Sequence, residues 1–193
     1  MPHSPQHVEI TLATGVLTLD LLPSRIPLHR LLGFAARVSS KRKFLFVSKL
    51  LGKHYPVSPL LMRWSYRKLA RDVLAQEQLG SSLWLGMAET ATGLGYGVYA
   101  EAKAEGLNNA LFMQTTRYVL SGCPFLQFEE SHSHATDFFL YFPSREQDKR
   151  LFNQADTLVL IDDEISTGTT FFTLNTSLPT AQSAVKKKSL LLA

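Results

Sequence analysis

The stretch from Leu158 to Thr170, LVLIDDEISTGTT, constrains this chain more than any other. Four apolar residues, Leu158 to Ile161, read as a buried strand that runs directly into Asp162 and Asp163. In open α/β sheets, ligands sit at the carboxyl ends of strands. Two carboxylates at such an end can accept hydrogen bonds from vicinal sugar hydroxyls. Ser166, Thr167, Gly168, Thr169 and Thr170 follow, offering backbone N–H groups and hydroxyls to a phosphate dianion, with Gly168 permitting the tight turn. A helix beginning there adds its N-terminal dipole. The competing reading is an acidic turn after a core strand.

The rest of the chain supplies the rhythm of an α/β fold with a parallel sheet. Val8 to Leu19 reads as a hairpin with a turn at Thr14-Gly15, and Leu28 to Val38 as a short helix. Phe44 to Ser48 reads as a strand, and Leu60 to Gln78 as a helix carrying Leu61, Trp64, Leu69 and Val73 at helical spacing. Ser82 to Met87 is a short apolar run, Leu94 to Glu105 a small-residue helix stopped by Gly106, and Ala110 to Leu120 a strand. Ser121 to Phe142 is a long polar and aromatic region. Residues 1–80 are expected to form an N-terminal appendage and 81–193 the core. Hydrophobic residues make up 45% of the 193, enough for a real core, and charged residues 19%. No run reaches the roughly 18 apolar residues of a membrane span. A single cysteine, Cys123, excludes an internal disulfide and a multi-cysteine zinc site. A cytoplasmic enzyme or binding domain is the expected class.

LVLIDDEISTGTT resembles the phosphoribosyl pyrophosphate signature of type I phosphoribosyltransferases: four apolar residues, Asp-Asp, two variable positions, then a small-Thr-Gly-x-Thr phosphate loop. Glu164 stands where that family more often has an apolar residue. The family places a pyrophosphate-binding loop after an earlier strand, and here Leu85 to Gly95 (LGMAETATGLG) occupies that place. Ala88, Glu89, Thr90, Ala91, Thr92 and Gly93 would face the pyrophosphate, although relatives often carry Arg or Lys there and this chain has none. The rival dinucleotide fingerprint fails because GxGxxG starting at Gly93 needs glycine at Val98. A phosphate-loop NTPase needs Gly-Lys-Ser/Thr.

FLFVSKLLGKHYPVSP (Phe44 to Pro59), Thr115 to Arg117 and FEESHSHATD (Phe128 to Asp137) extend the likeness. With GMAETATGLG they resemble the phosphoribosyltransferase-like proteins of bacterial tellurium-resistance-associated biosynthetic gene clusters. The resemblance implies a type I phosphoribosyltransferase-like fold: an open, mainly parallel sheet with flanking helices and an N-terminal hood. It implies use of phosphoribosyl pyrophosphate with Mg²⁺ on Asp162 and Asp163, directly or through water. Homodimers are common among type I relatives. After Thr170 the likeness fades: Pro179 interrupts any helix, and Val185 to Ala193 reads as a short last strand or a frayed tail, so the C-terminus is expected to be shortened, a truncation that would put catalysis at stake.

Three further groups bear on chemistry. Lys49 and Lys53 flank Gly52 after a strand and suit a phosphate-facing loop, or else are solvent-facing lysines. His132 and His134, with Glu129, Glu130 and Asp137, form a polar cluster rich in titratable groups. In type I enzymes this segment closes over the reacting centre, where His132 or His134 would deprotonate an acceptor nitrogen, with Arg117 helping at the pyrophosphate. The alternatives are a transition-metal site and an ordinary polar loop. The segment is expected over the carboxyl end of the sheet, near Asp162 and Arg117.

Between Asp20 and Asp72 there is no acidic residue, whereas Lys and Arg recur from Arg25 to Arg71. A one-signed segment suits an anionic partner, or is a solvated basic face. The leading expectation is a Mg²⁺-dependent transferase moving a phosphoribosyl group from phosphoribosyl pyrophosphate to a small-molecule, nitrogenous acceptor. A non-catalytic phosphoribosyl pyrophosphate sensor is the second expectation. A nucleic-acid-binding protein using residues 25–71, with aromatics such as Phe34, Phe44, Phe46, Tyr55, Trp64 and Tyr66 stacking on bases, is the third. The acceptor itself is not legible in the residues.

Overall fold

The computed structural model describes residues 6–38, 43–76, 79–129, 137–165 and 188–192. The chain forms two compact units, Met1–Met62 and Arg63–Ala193.

In the first unit, β1 (Gln6–Leu12) and β2 (Gly15–Leu21) pair antiparallel, as the alternation of Val8, Ile10 and Leu12 with polar residues requires. Gly15 has φ +136°, a conformation open to glycine and strained for other residues. The helix expected over Leu28 to Val38 is corrected. Only α1 (Leu28–Leu31) is helical, and β3 (Leu32–Ala36) pairs antiparallel with β4 (Phe44–Ser48). Cross-strand packing outweighs helical spacing there: the Phe34 and Phe46 rings lie 5.7 Å apart edge-to-face, and Phe44 lies 5.3 Å from Phe46. A groove of about 840 Å³ in this unit is lined by residues including Val8, Ile10, Leu21, Ile26, Leu28 and Phe34. It contains none of the acids or hydroxyls singled out in the sequence.

The boundary between the units falls inside α2 (Pro59–Gln76), whose later part belongs to the second unit. There β5 (Ser82–Gly86), α3 (Thr92–Ala104), β6 (Ala110–Gln114), β7 (Phe125–Glu129), β8 (Asp137–Tyr141), α4 (Glu146–Gln154), β9 (Thr157–Ile161) and β10 (Lys188–Leu192) follow in order. A four-stranded sheet has the order β10-β9-β5-β6, and every pairing in it is parallel. The segment left open as strand or tail therefore contributes an edge strand beside β9. β5 is buried along its whole length, and so is β9, which is why both read as unbroken apolar runs. Leu83 and Leu85 join Leu158 and Leu160 in the main core. Trp84, on the opposite face of β5, is fully buried, donates from Nε1 to the Ser82 hydroxyl at 3.0 Å and meets the Tyr99 ring of α3 at 6.0 Å.

Three further elements, β7, β8 and α4, were not foreseen. The region Ser121 to Phe142, expected as a loop, holds the antiparallel hairpin β7–β8, with Phe128 and Phe138 stacked at 5.4 Å. Phe138, Phe139 and Leu140 are all buried, so aromatic packing on both faces hides the alternation a half-exposed strand would show. The polar run EQDKRLFNQ forms α4, helped by Glu146 and Asp148 in its first turn and anchored by buried Phe152. The strand expected to run from Ala110 to Leu120 ends at Gln114.

α2 and α3 are joined by a ladder of ion pairs. Arg63 and Arg67 both donate to the Glu101 carboxylate, Arg67 at 2.8 Å, and Arg71 pairs with Glu105 at 2.7 Å. The two arginine Nε–H bonds hold the buried Glu101 carboxyl below its ordinary value. The Tyr66 ring of α2 rests on Gly97 of α3, where no side chain would fit, and burial raises the Tyr66 phenol. Part of the basic segment is thus neutralised by acids that lie far along the chain.

Candidate active site

β5 lies between β6 and β9, and the chain leaves it toward β6 first and returns later to β9. The carboxyl ends of β5 and β9 are therefore the place where connections diverge, and a crevice opens at such a switch point. The two sequence blocks singled out above leave the sheet at this place. Gly86 is in register with both Gln114 and Ile161. Beyond it, Met87 N–H donates to the Ile161 carbonyl at 3.0 Å and Thr115 N–H donates to the Gly86 carbonyl at 3.1 Å, which extends the pairing by one residue on each side.

The segment from Ala88 to Ala91 forms a turn leading into α3, and its Ala88–Glu89 peptide is cis. Ala88 N–H donates to the Thr115 hydroxyl oxygen at 2.7 Å. The Thr92 hydroxyl donates to the Glu89 carbonyl at 2.7 Å and itself accepts from the Gln114 amide. The Thr90 hydroxyl donates to Asp163 Oδ1 at 2.8 Å, so the turn after β5 is tied directly to the acids after β9. Asp162 Oδ1 accepts from the Asp163 N–H at 2.8 Å. Among the described residues, the backbone N–H groups of Glu89, Thr90 and Ala91 meet no protein acceptor. The start of α3 at Ala91 has no side-chain cap, so the first amides of that helix add to the set.

α3 can begin this close to β5 because both contacting residues are glycines. A Cβ on Gly95 would stand 2.8 Å from the Gly86 Cα and 3.5 Å from the Phe112 ring. The turn is thereby held against the sheet at the start of α3, a position that favours an anion.

Arg117 follows the β6 exit. Its guanidinium lies 4.1 Å from the centre of the Phe138 ring, and Thr116 exchanges both backbone hydrogen bonds with Phe139, at 2.9 and 2.8 Å. The Phe138 end of the hairpin is thus placed at the exit of β6. His132 and His134, together with Glu130, lie outside the described residues, as do Ser166, Thr167, Gly168, Thr169 and Thr170. Lys49 and Lys53 belong to the first unit, where the Lys49 ammonium donates to the His29 carbonyl at 2.9 Å.

Local charge is negative: Glu89 is exposed, and Asp162, Asp163 and Glu164 are half-buried. Among the described residues, no group of three or more His, Cys, Asp or Glu is arranged to hold a metal by itself. That donor set suits Mg²⁺, which takes one or two carboxylates and completes its shell from substrate phosphates and water. It does not suit a transition metal held by protein alone.

Residues 31–192 match the phosphoribosyl transferase family. The chain belongs to that family. Comparison with curated proteins gave no match. Among solved structures, the adenine phosphoribosyl transferase of Trypanosoma brucei, in complex with AMP, pyrophosphate and ribose-5-phosphate, superposes with a TM-score of 0.55 at 16% identity. The match covers 89% of this chain and 69% of that one. The adenine phosphoribosyltransferase of Leishmania tarentolae gives 0.52 at 14% identity over 85% and 69% of the two chains. The enzyme of Giardia lamblia, complexed with 9-deazaadenine, gives 0.51 at 16% identity over 85% and 81%. At these identities the likeness establishes the fold, and family membership establishes the glycosyltransferase class.

Sequence reasoning named the two acids and the turn but missed what connects them. Gln114 and Thr115, at and just beyond the end of β6, carried one available signal, an amide and a hydroxyl side chain following the apolar run Ala110 to Met113.

Proposed function

We propose that the protein transfers a phosphoribosyl group from phosphoribosyl pyrophosphate to a nitrogenous acceptor and releases pyrophosphate. The observation that carries this reading is the exposed pair Glu89 and Thr90, whose amides meet no acceptor among the described residues, tied through the Thr90 hydroxyl to Asp163. A diphosphate and a ribose joined at C1 would span such a pair of half-sites. Asp162 and Asp163 accept hydrogen bonds from the ribose hydroxyls. Ala88, Glu89, Thr90, Ala91, Thr92 and Gly93 receive the pyrophosphate, and Ser166 to Thr170 the 5′-phosphate. Arg117 is the candidate cation for the phosphates.

Mg²⁺, when bound through Asp162 or Asp163 and the substrate, offsets the charge of the pyrophosphate next to these acids. The C1–O bond to pyrophosphate breaks, the bond from the acceptor nitrogen to C1 forms, and the nitrogen's proton passes to a base, for which His132 and His134 are the candidates. Positive charge develops on the ribose in between, so the carboxylates at the end of β9 act by electrostatic stabilisation and positioning rather than covalently. The acceptors handled by adenine phosphoribosyltransferases make purine bases the first compounds to try. The narrower likeness to the tellurium-resistance cluster proteins rests on the Phe44 to Pro59, Thr115 to Arg117 and Phe128 to Asp137 blocks, and it leaves non-purine acceptors in the panel.

Calorimetric titration with phosphoribosyl pyrophosphate and Mg²⁺ tests the reading. Binding by the wild-type protein that weakens at least tenfold in the Asp162→Asn, Asp163→Asn double variant supports it. No binding by the wild type, or equal binding by both, removes it.

A second reading, a sensor that binds phosphoribosyl pyrophosphate without turnover, is favoured by the absence of Lys and Arg from Ala88 to Gly93. Pyrophosphate release across a panel of bases separates the two. The nucleic-acid reading is weakened because Arg63, Arg67 and Arg71 are paired with Glu101 and Glu105, and Phe34, Phe44 and Phe46 pack on one another. Unchanged gel mobility of single-stranded and duplex probes at low salt would remove it.

A further inference from the structure

We propose that Gln114 and Thr115, the residues at and just beyond the end of β6, are positioning residues for pyrophosphate recognition: they set the shape of the turn after β5 without touching the ligand. The inference rests on the reading of that turn as pyrophosphate-facing.

Thr115 is 1% exposed, and a hydroxyl so deeply buried needs a partner. It serves as the acceptor for Ala88 N–H at 2.7 Å, while its own N–H donates to the Gly86 carbonyl at 3.1 Å. One residue of β6 therefore grips both the last residue of β5 and the first residue of the Ala88–Ala91 turn. Gln114 grips the other end of the turn through a directed chain. Its amide donates to the Thr92 hydroxyl, and the Thr92 proton goes to the Glu89 carbonyl at 2.7 Å. Thr92 N–H approaches the same carbonyl at 3.4 Å.

The chemical consequence lies in which groups are used up. A carbonyl turned toward a diphosphate would repel it, and amides turned toward it attract it. Gln114 and Thr115 engage the Glu89 carbonyl and the Ala88 amide. Among the described residues, the amides of the exposed Glu89 and Thr90 meet no acceptor and are left over for a ligand, whereas Ala91 is fully buried in the core. The turn has no cation of its own, so its affinity for an anion depends on the aim of these dipoles and is sensitive to small shifts.

The test uses the intact chain and three probes with Mg²⁺ in calorimetry: inorganic pyrophosphate, ribose 5-phosphate and phosphoribosyl pyrophosphate. Thr115→Val keeps the side chain's shape and removes the acceptor for Ala88 N–H. Expected is a loss of tenfold or more in affinity for pyrophosphate and phosphoribosyl pyrophosphate, with ribose 5-phosphate held within twofold. Thr115→Ser, which restores the hydroxyl, is expected to bind pyrophosphate within threefold of the wild type. Should Thr115→Val fail to fold, Gln114→Leu, at a half-buried position, reads the other grip and is expected to weaken pyrophosphate threefold to tenfold with the same selectivity. Equal weakening of ribose 5-phosphate, or unchanged pyrophosphate affinity in a folded variant, overturns the proposal while leaving the turn's role intact. A wild-type protein that binds ribose 5-phosphate but not pyrophosphate overturns the reading of the turn itself, and the proposal with it.

Discussion

Replacing Gly95 by alanine sets two opposed effects against each other, and the geometry decides between them. Alanine is favoured over glycine in a helix interior by about 1 kcal/mol. Against that, the new Cβ would stand 2.8 Å from the Gly86 Cα, whereas carbon atoms rest at about 3.5–4.0 Å. One of the two elements has to withdraw by about 1 Å. β5 resists movement because it is hydrogen-bonded to β6 on one side and β9 on the other. α3 must therefore lift, opening its contact with Trp84, while the Phe112 ring, 3.5 Å from the added carbon, is at ordinary contact distance. Overpacking of this kind costs about 1–3 kcal/mol. The net effect is a loss of up to about 2 kcal/mol, or up to about 6 °C in Tm for a chain of this size. Urea unfolding followed by tryptophan fluorescence reads it. Gly93→Ala is the control, since its Cβ would find only the Tyr66 hydroxyl, 4.0 Å away, and it should be neutral or slightly stabilising. Gly95 N–H also donates to the Ala91 carbonyl at 2.7 Å, so lifting the helix drags the turn, and affinity for Mg²⁺-pyrophosphate should fall as well. A Gly95→Ala protein at least as stable as the wild type would show that the helix relaxes freely, and the close-packing argument would be wrong.

Glu101→Gln should lower the urea midpoint at pH 7, because one buried carboxylate receives both Arg63 and Arg67. The folded-state value of Glu101 is depressed below its ordinary 4.5. Its contribution is therefore fully present above that value and lost as pH falls through the lower, folded-state value. The midpoint difference between wild type and variant should close on acidification below pH 4.5, and a difference that stays constant down to acid pH would refute the assignment. Phe138→Leu should remove the stacking partner of Arg117, and a double-mutant cycle with Arg117→Lys should give a coupling of about 1 kcal/mol. Zero coupling would mean that the guanidinium does not use the ring.

The elements that could be read from sequence are those whose burial is uniform or strictly periodic. β5 and β9 are buried at every position, and their apolar runs end abruptly at Gly86 and at Asp162. α2 and α3 carry helical spacing, and α3 ends just before the expected stop at Gly106. The missed elements depend on partners distant in the chain. β3 carries residues equally compatible with a helix, and it is a strand because Phe34 meets Phe46. β7 and β8 are aromatic on both faces because Phe128 and Phe138 stack while Phe125 and Phe139 pack edge-on at 5.1 Å. α4 has one buried residue, Phe152, too few for a periodic signal. In the candidate site, the acids and the small-residue turn were legible as types. The bonds among Thr90, Asp163, Ala88 and Thr115 were not, because each joins residues that only the sheet brings together. The charge of the 25–71 segment was misleading in part for the same reason, since the acids that neutralise Arg63, Arg67 and Arg71 belong to α3.

The two ties on the Ala88–Ala91 turn differ in how much chain each encloses. The Thr115 tie closes a loop of 27 residues, whereas the Thr90 tie to Asp163 closes one of 73. Closing the longer loop costs about 0.9 kcal/mol more in chain entropy. The strand–helix–strand half, β5 to β6, can therefore assemble from contacts near in sequence, with its amides already aimed. The carboxylates arrive only when β9 inserts beside β5. A folding route that follows loop length would therefore order the Ala88–Ala91 turn against Thr115 before Asp163 reaches Thr90.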